Sequence, residues 1–142
     1  MLVRCLYASR AVEPQSAHML DEILETSRRN NQPHGITGLL CFSNGVFVQA
    51  LEGGRSQVSH LLATIFSDIR HRDMQLLMFE EIAQRHFGNW TMGKVNVSSI
   101  NSAVLLKYSE SADLNPFSSP GHTTMALLAE LAASGSIVSR GM

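Results

Sequence analysis

Gln49 is a polar residue in the middle of an apolar run, residues 47–51. The alternation of side chains along a strand places it on the same face as Phe47 and Leu51. A buried amide that lacks partners for its N–H donors and its carbonyl oxygen costs about 1–3 kcal/mol. Gln49 therefore either lies at a sheet edge, where water satisfies it, or requires polar partners in the interior.

Tyr7 and the Asn30–Asn31 pair are two further polar sites. Tyr7 lies in the apolar segment 2–9, on the same side as Val3 and Cys5, and a buried phenol usually finds a hydrogen-bond partner. A core tyrosine whose hydroxyl reaches the rim is the simpler alternative. The asparagines end a predicted helix, where Asn is common; one of them could instead present a donor and an acceptor to a planar heterocycle.

Two short segments farther along the chain are also candidates. Asp68, Arg70 and His71 close the second predicted helix and could hold a ribityl or phosphate chain, although a solvated helix end is the simpler interpretation. Trp90 is the only tryptophan and stands two positions before Met92. Trp90 is a candidate site residue, and a structural anchor is the simpler interpretation.

Other kinds of chemistry lack the residue spacing that they need. The six histidines show no metal-ligand spacing and no Cys-x-x-Cys is present. There is no Walker-type phosphate loop, no dinucleotide-binding fingerprint and no Gly-x-Ser-x-Gly motif. Cys5 and Cys41 lie in apolar runs, where burial raises the pKa of a thiol and makes it inert. We therefore expect no metal site and no catalytic cysteine.

These side chains are positioned by a predicted α+β arrangement. Asn44-Gly45 between two β-rich runs is a strong signal for a two-residue hairpin, because both turn positions need positive φ. An amphipathic helix is predicted on each side of the hairpin, and Arg28 falls on an outward side of the first one. The predicted strands are 2–9, 36–43, 46–51, 74–82 and 92–97, and the second helix is 58–69. The order is ferredoxin-like, βαββαβ with one extra strand, and two helices cover one face of the sheet.

The composition shifts after residue 97, so we divide the chain into a domain at 1–97 and a C-terminal helical extension at 98–142. A helix is predicted near 124–133, with Met125, Leu128 and Leu131 on one apolar stripe. That stripe must cover either the free face of the sheet or another subunit.

Charge and composition limit the partners. The 142 residues carry a net charge of -1, which gives no general electrostatic attraction to nucleic acid or anionic lipid. No apolar run is long enough for a transmembrane helix. Two cysteines and the lack of a signal peptide favour the cytoplasm. Charged residues are only 16%, below the usual ~25%, which indicates a surface that faces a partner, a subunit or a ligand.

Taken together, these residues resemble the BLUF family, the blue-light sensors that use FAD. The similarity spans residues 1–97 and consists of five stretches at family-like spacing. These stretches are Leu6-Tyr7-Ala8-Ser9, Asn31 with 35–40, 45–53, 68–71 and 90–92. Each stretch is weak alone, and the set is specific. The length is similar to that of the small stand-alone members of the family.

The resemblance implies that FAD is held non-covalently between the two helices, with its ring over the sheet. The position that matches Asn31 hydrogen-bonds the carbonyl and N3 edge of the ring. The position that matches Gln49 bridges Tyr7 and the N5/O4 edge. Those that match Asp68, Arg70 and His71 lie toward the ribityl and phosphate end.

The resemblance also implies a mechanism. Light drives electron and proton transfer from Tyr7 to the flavin, and Gln49 rotates or tautomerises. Met92 is also expected to bind the cofactor, and the signal leaves through Trp90 or Met92 on the last strand toward 98–142. We expect no catalysis, an unidentified protein partner and a homodimer. Two alternatives stay open on the same fold, a small flavin-dependent enzyme and a cofactor-free interaction module.

Overall fold

The computed structural model describes residues 1–12, 17–89, 91–95, 101–133 and 137–139, with the backbone alone at 17–19 and 137–139. The strands are β1 (Leu2–Ala11), β2 (Thr37–Ser43), β3 (Val46–Gly54), β4 (His71–Ile82), β5 (Gly93–Val95) and β6 (Ile137–Ser139). The helices are α1 (Ala17–Asn31), α2 (Arg55–Phe66), α3 (Ser102–Tyr108) and α4 (Gly121–Ala133). Short 3-10 turns span Gln32–His34 and Pro116–Ser118.

The described strands form one sheet in the order β4-β1-β3-β2-β5-β6. β1 is antiparallel to both of its neighbours, β3 and β4, and β2 is antiparallel to β3. β5 joins parallel to β2, and β6 pairs antiparallel with β5. The predicted ferredoxin-like order with an extra strand is confirmed. The sequence pattern did not predict β6, which lies within the segment assigned to a helical extension.

The hairpin turn fixes the register of the central strands. Asn44 and Gly45 have φ values of 51° and 78°, as a tight turn that matches the twist of the strands requires. Gln49 consequently pairs with Tyr7 on β1 and with Leu40 on β2. Gln49 is thus in the middle of the sheet, and the interpretation as an edge residue is wrong.

The two faces of the sheet bury separate cores. The face under α1 and α2, here called the helix-side face, carries Val3, Cys5, Tyr7, Phe47 and Leu51, which share one core with Val58 and Leu62 of α2. The opposite face, here called the outer face, carries Leu6, Ala8 and Val48, which share a second core with Leu105 of α3 and with Met125, Leu128 and Leu131 of α4. The predicted apolar stripe therefore covers the free face of the sheet in the same chain.

α4 approaches the sheet closely at its first residue. A Cβ on Gly121 would lie 2.4 Å from the carbonyl oxygen of Leu77 on β4, a separation that real side chains do not tolerate. Glycine at this position lets the helix start directly against the strand, so the outer face is closed from the β4 side.

The segment between α2 and β4 differs from the prediction. α2 ends at Phe66, and Ile69, the last residue of the predicted helix, is exposed in the following turn. The N–H groups of Ser67 and Asp68 bond the carbonyls of Thr64 and Ile65, which closes the helix early. β4 begins at His71 because it pairs there with Ala11. Across the described ranges, no helix has the length and apolar character needed to cross a membrane.

Candidate functional site

A cleft opens between α1 and α2 above the helix-side face of the sheet. Three strands beneath form its floor with the side chains of Tyr7, Leu40, Phe47 and Gln49. Its walls are Ile23, Thr26, Ser27, Asn30 and Asn31 on the α1 side, and Leu61, Thr64, Ile65, Asp68, Arg70 and His71 on the α2 side. Apolar walls with a few convergent polar groups are typical of a site for an organic ligand. Every predicted cofactor-binding residue except Met92 lines this cleft.

A hydrogen-bonded chain crosses the floor of the cleft. The Tyr7 hydroxyl donates to Oε1 of Gln49, and Nε2 of Gln49 lies 3.3 Å from Sδ of Met92. All three side chains are buried, Met92 completely. The chain therefore links β1, β3 and the residue that precedes β5.

Burial sets the protonation state of Tyr7. Desolvation raises the pKa of the phenol far above its usual range, and the nearby Cys5 and Asp68 groups raise it further. The phenol is consequently neutral in the folded protein, and its proton stays available to Gln49.

Asn31 and Gln49 both carry amide groups with unused hydrogen-bonding capacity. Asn31 is 3% exposed, and its side chain has no hydrogen-bond partner within the described part of the chain; its backbone carbonyl accepts from Ile36. The amide nitrogen of Gln49 has the weak sulfur acceptor of Met92 for one of its two hydrogens. Buried amides without partners are costly, so both side chains fit a ligand that offers donors and acceptors.

The α2 end of the cleft is ionic. Arg70 donates to both carboxylate oxygens of Asp68, with Nε at 3.0 Å from each. These hydrogen bonds hold the pKa of Asp68 below its usual range, against a smaller effect of burial. They also raise the pKa of Arg70. The pair presents a fixed dipole at the partly exposed mouth of the cleft.

His71 is held in one tautomer by its neighbours. Its Nε2 lies 2.6 Å from the carbonyl oxygen of Ile65, and a carbonyl only accepts, so Nε2 carries the hydrogen. Nδ1 then accepts from the Ser9 hydroxyl at 2.8 Å. The ring lies edge-on to both Tyr7 and Phe47. His71 is the first residue of β4. Through Ser9, Tyr7 and Phe47 it supports the floor of the cleft.

Arg28 differs from its predicted position on an outward side of α1. Its Nε and Nη2 donate to the Met92 carbonyl oxygen at 3.0 and 2.9 Å. Partial burial lowers the pKa of Arg28, while Asp21 opposes that change. No local signal could have indicated this role, because the acceptor is a backbone group far along the chain.

Glu52 is a second polar residue whose role the sequence pattern did not predict. It is fully buried and accepts from Arg4 Nε at 2.8 Å. It also accepts from the backbone N–H groups of His86 and Phe87, at 2.9 and 2.6 Å. One carboxylate thereby fastens the segment after β4, which leads toward Met92, to the end of β3.

The two cysteines do not take part in the site. Both are free and buried, and burial raises the pKa of each thiol to about 12. Their burial agrees with the prediction that they are inert, which remains a prediction. Within the described residues, no group of histidine, cysteine and carboxylate side chains could hold a metal ion. Trp90, predicted to act with Met92, lies outside the described residues.

Fold and cleft together define an α+β ligand-binding domain, and comparison with known proteins names its family. Residues 2–93 match the model of BLUF, sensors of blue-light using FAD. The match covers more than half of the chain, and the chain belongs to this family. FAD is therefore the cofactor, and the matched domain is a blue-light sensor domain.

Curated relatives include much longer proteins. The chain is 36% identical over 92 residues to photoactivated adenylate cyclase subunit beta of Euglena gracilis, which is 64% of this chain and 11% of that protein. It is 30% identical over 88 residues, 62% of this chain, to the blue light- and temperature-regulated antirepressor BluF of Escherichia coli K12, and covers 22% of that protein. The chain thus spans about a tenth to a fifth of the lengths of these relatives.

Solved structures of short proteins match over nearly their whole length. The dark-state structure of the BLUF protein BlrB gives a TM-score of 0.80 at 28% identity, covering 94% of this chain and 96% of that chain. The photo-activated state of BlsA gives a TM-score of 0.80 at 30% identity, covering 92% and 94%. The expected similarity to short members of the family is confirmed.

Proposed function

We propose that this chain is a blue-light photoreceptor that holds FAD non-covalently in the cleft between α1 and α2. The observation that carries the proposal is the buried chain from Tyr7 through Gln49 to Met92 on the cleft floor. The activity of the whole protein, its partner and its assembly are part of the same proposal.

The residues of the cleft fit a flavin. Leu40, Phe47 and Ile65 provide apolar surface for a planar ring. The free amide of Asn31 suits the carbonyl and N3 edge, since that edge offers both an acceptor and a donor. Gln49 suits the opposite edge of the ring, because the floor places its amide beside the phenol of Tyr7.

The polar mouth of the cleft suits the rest of the cofactor. Asp68 and Arg70 form a partly exposed pair at the α2 end, where hydroxyl and phosphate groups of the ribityl chain would leave the protein. His71 lies next to this pair and is already bonded to Ser9 and Ile65. We assign His71 a positioning role for that end of the cleft.

Bound FAD supplies the absorption of blue light and, once excited, an acceptor for an electron. Tyr7 would donate that electron together with a proton, and both would return to Tyr7 once the Gln49 amide has changed its hydrogen bonds, so that no net oxidation or reduction remains. Its hydroxyl points at Oε1 of Gln49, so the proton has a hydrogen-bonded path through the amide. Burial raises the pKa of the phenol further above its ordinary value, so the proton is on Tyr7 before light arrives.

Gln49 converts this transfer into a change of hydrogen bonds. In the described arrangement its oxygen faces Tyr7 and its nitrogen faces Met92. A half-turn of the amide exchanges the two groups, and tautomerisation changes which of them carries hydrogen. The half-turn replaces the N–H donor opposite the sulfur of Met92 by an oxygen, and tautomerisation leaves the nitrogen with one hydrogen instead of two. Trp90, from the same motif, remains a predicted second responder.

The output is a contact with a protein partner. The near-zero net charge supports a protein rather than nucleic acid or a membrane. We retain the division into a sensor domain at 1–97 and an extension at 98–142, and a cytoplasmic location. A homodimer is supported by β4, an edge strand of the described sheet on which Leu76 and Phe79 are exposed.

Illumination of the purified protein tests the proposal. We expect bound FAD, identified after release from the protein, and a reversible red shift of its spectrum under blue light. Gln49→Leu keeps the side-chain volume and removes the amide, so FAD should stay bound while the shift is lost. The exposed Gln75 on β4 provides the matched control, and Gln75→Leu should behave as the parent protein does.

Each alternative predicts a different outcome. A folded protein that stays colourless in excess FAD would support a cofactor-free interaction module. Bound flavin that is reduced and reoxidised by a substrate, without a light-induced shift, would support a flavin-dependent enzyme. A red shift that survives Gln49→Leu would contradict the role given to Gln49.

A further inference from the structure

Met92 is held at two points by different parts of the fold. Its sulfur faces the Gln49 amide at 3.3 Å, and its backbone carbonyl accepts two N–H groups of Arg28, at 3.0 and 2.9 Å. The first contact comes from the floor of the cleft and the second from α1. β5 begins at the next residue, Gly93, so both contacts act on the start of that strand.

The two contacts differ in strength. A thioether is a weak acceptor, whereas a hydrogen bond from a guanidinium is charge-assisted and roughly twice as strong as a neutral one. A change in the Gln49 amide removes the weaker contact, so that any displacement of β5 has to stretch or break the stronger one. The position of β5 after that change depends on the bond between Arg28 and the Met92 backbone.

We infer that Arg28 is a positioning residue that holds β5 in its dark position and drives its return after illumination. The inference rests on the proposed photoreceptor function. A second α1–β5 contact supports it, since Nζ of Lys94 lies 3.5 Å from the Asp21 carboxylate. α1 thus holds β5 on both sides of its first residue.

Arg28 acts on the strand and not on the cofactor. It is not among the residues that line the cleft, although its neighbour Ser27 is. Its loss should therefore leave the bound FAD and the light-induced shift unchanged. The bond to Met92 is present in the described arrangement, which we take as the dark one, so its removal reduces the free energy that favours return from a displaced β5.

Recovery kinetics and hydrogen exchange test the inference on the full chain loaded with FAD. For Arg28→Gln we expect a normal red shift, dark recovery slower by about tenfold, and faster amide exchange at residues 93–95 in the dark. Arg28→Lys retains one charged donor and should recover part of both effects. Arg29→Gln, an exposed neighbour on α1, is the matched control and should match the parent protein.

The outcomes separate this inference from the proposed function. Parental recovery and exchange in Arg28→Gln, with a normal shift, would overturn the role of Arg28 alone. Loss of FAD or of the shift in both Arg28 variants would also overturn it, because Arg28 would then belong to the cofactor site. Absence of a shift in the parent protein would instead refute the photoreceptor proposal.

Discussion

Glu52→Gln changes few atoms, and the structure predicts that it lowers the free energy of unfolding substantially. The side chain keeps its shape and loses its charge at a fully buried position. The carboxylate accepts from Arg4 Nε at 2.8 Å and from the N–H groups of His86 and Phe87. An amide has one oxygen to accept with, and its N–H₂ group would face donors.

The size of the stability loss depends on how well the remaining charge of Arg4 is still paired. Breaking a buried ion pair by removing one partner costs about 3–5 kcal/mol. Arg4 retains a second contact with the half-exposed Glu80 at 3.1 Å, so we place the loss at the lower end, about 3 kcal/mol. For a chain of this length that corresponds to a fall in Tm of about 6–12 °C.

Urea unfolding followed by circular dichroism, at a fixed FAD concentration, measures this loss. Glu81→Gln is the matched control, because the ion pair of Glu81 with Arg55 is exposed on both sides and such pairs contribute less than about 1 kcal/mol. The double variant Arg4→Met with Glu52→Gln should lose less than the sum of the single losses, because no unpaired charge remains. A loss below about 1 kcal/mol for Glu52→Gln would refute the claim that Glu52 anchors the segment after β4.

Three further predictions concern other parts of the fold. The pKa of Asp68 is lowered in the folded state, so its contribution to stability is present above about pH 4 and lost as the pH falls through the folded-state value. Asp68→Asn should flatten the acid limb of stability, measured as urea midpoints against pH in flavin-free protein. Gly121→Ala forces a Cβ to within 2.4 Å of the Leu77 carbonyl oxygen and should cost about 1–3 kcal/mol in denaturant unfolding; an unchanged midpoint would show that α4 does not start against β4. Cys5 and Cys41, buried with pKa values of about 12, should react with a thiol reagent only after urea is added, and rapid labelling of the native protein would contradict their burial.

Local patterns predicted the parts of the site that depend on one strand or one turn. Asn44-Gly45 fixes the hairpin because its backbone conformation is decided by two adjacent residues. Alternation then assigns Gln49 to the face it occupies. The pattern could not show that Gln49 is central, since the order of strands depends on long-range pairing.

Local sequence patterns could not predict contacts between segments that are far apart in the chain. Arg28 sits among charged residues on a helix, and a charge on a helix usually faces water. Its acceptor is a backbone carbonyl, which every residue possesses and which gives no sequence signal. Glu52 is a similar case, because two of its three donors are backbone N–H groups. Ile69 is the opposite case. It is an apolar residue at helical spacing, which predicts a buried helical position, but it lies in a turn and is exposed.

β5 is the part of the sheet that a change at Gln49 can displace most readily. β1 and β3 are ten and nine residues long and are paired on both sides over most of that length. Displacing either strand would break many hydrogen bonds at once. β5 has three residues within the described part of the chain, and local opening costs least where few bonds must break. Met92 directly precedes β5, and β6 pairs with β5. Movement of β5 therefore changes the C-terminal segment while the central strands stay in register.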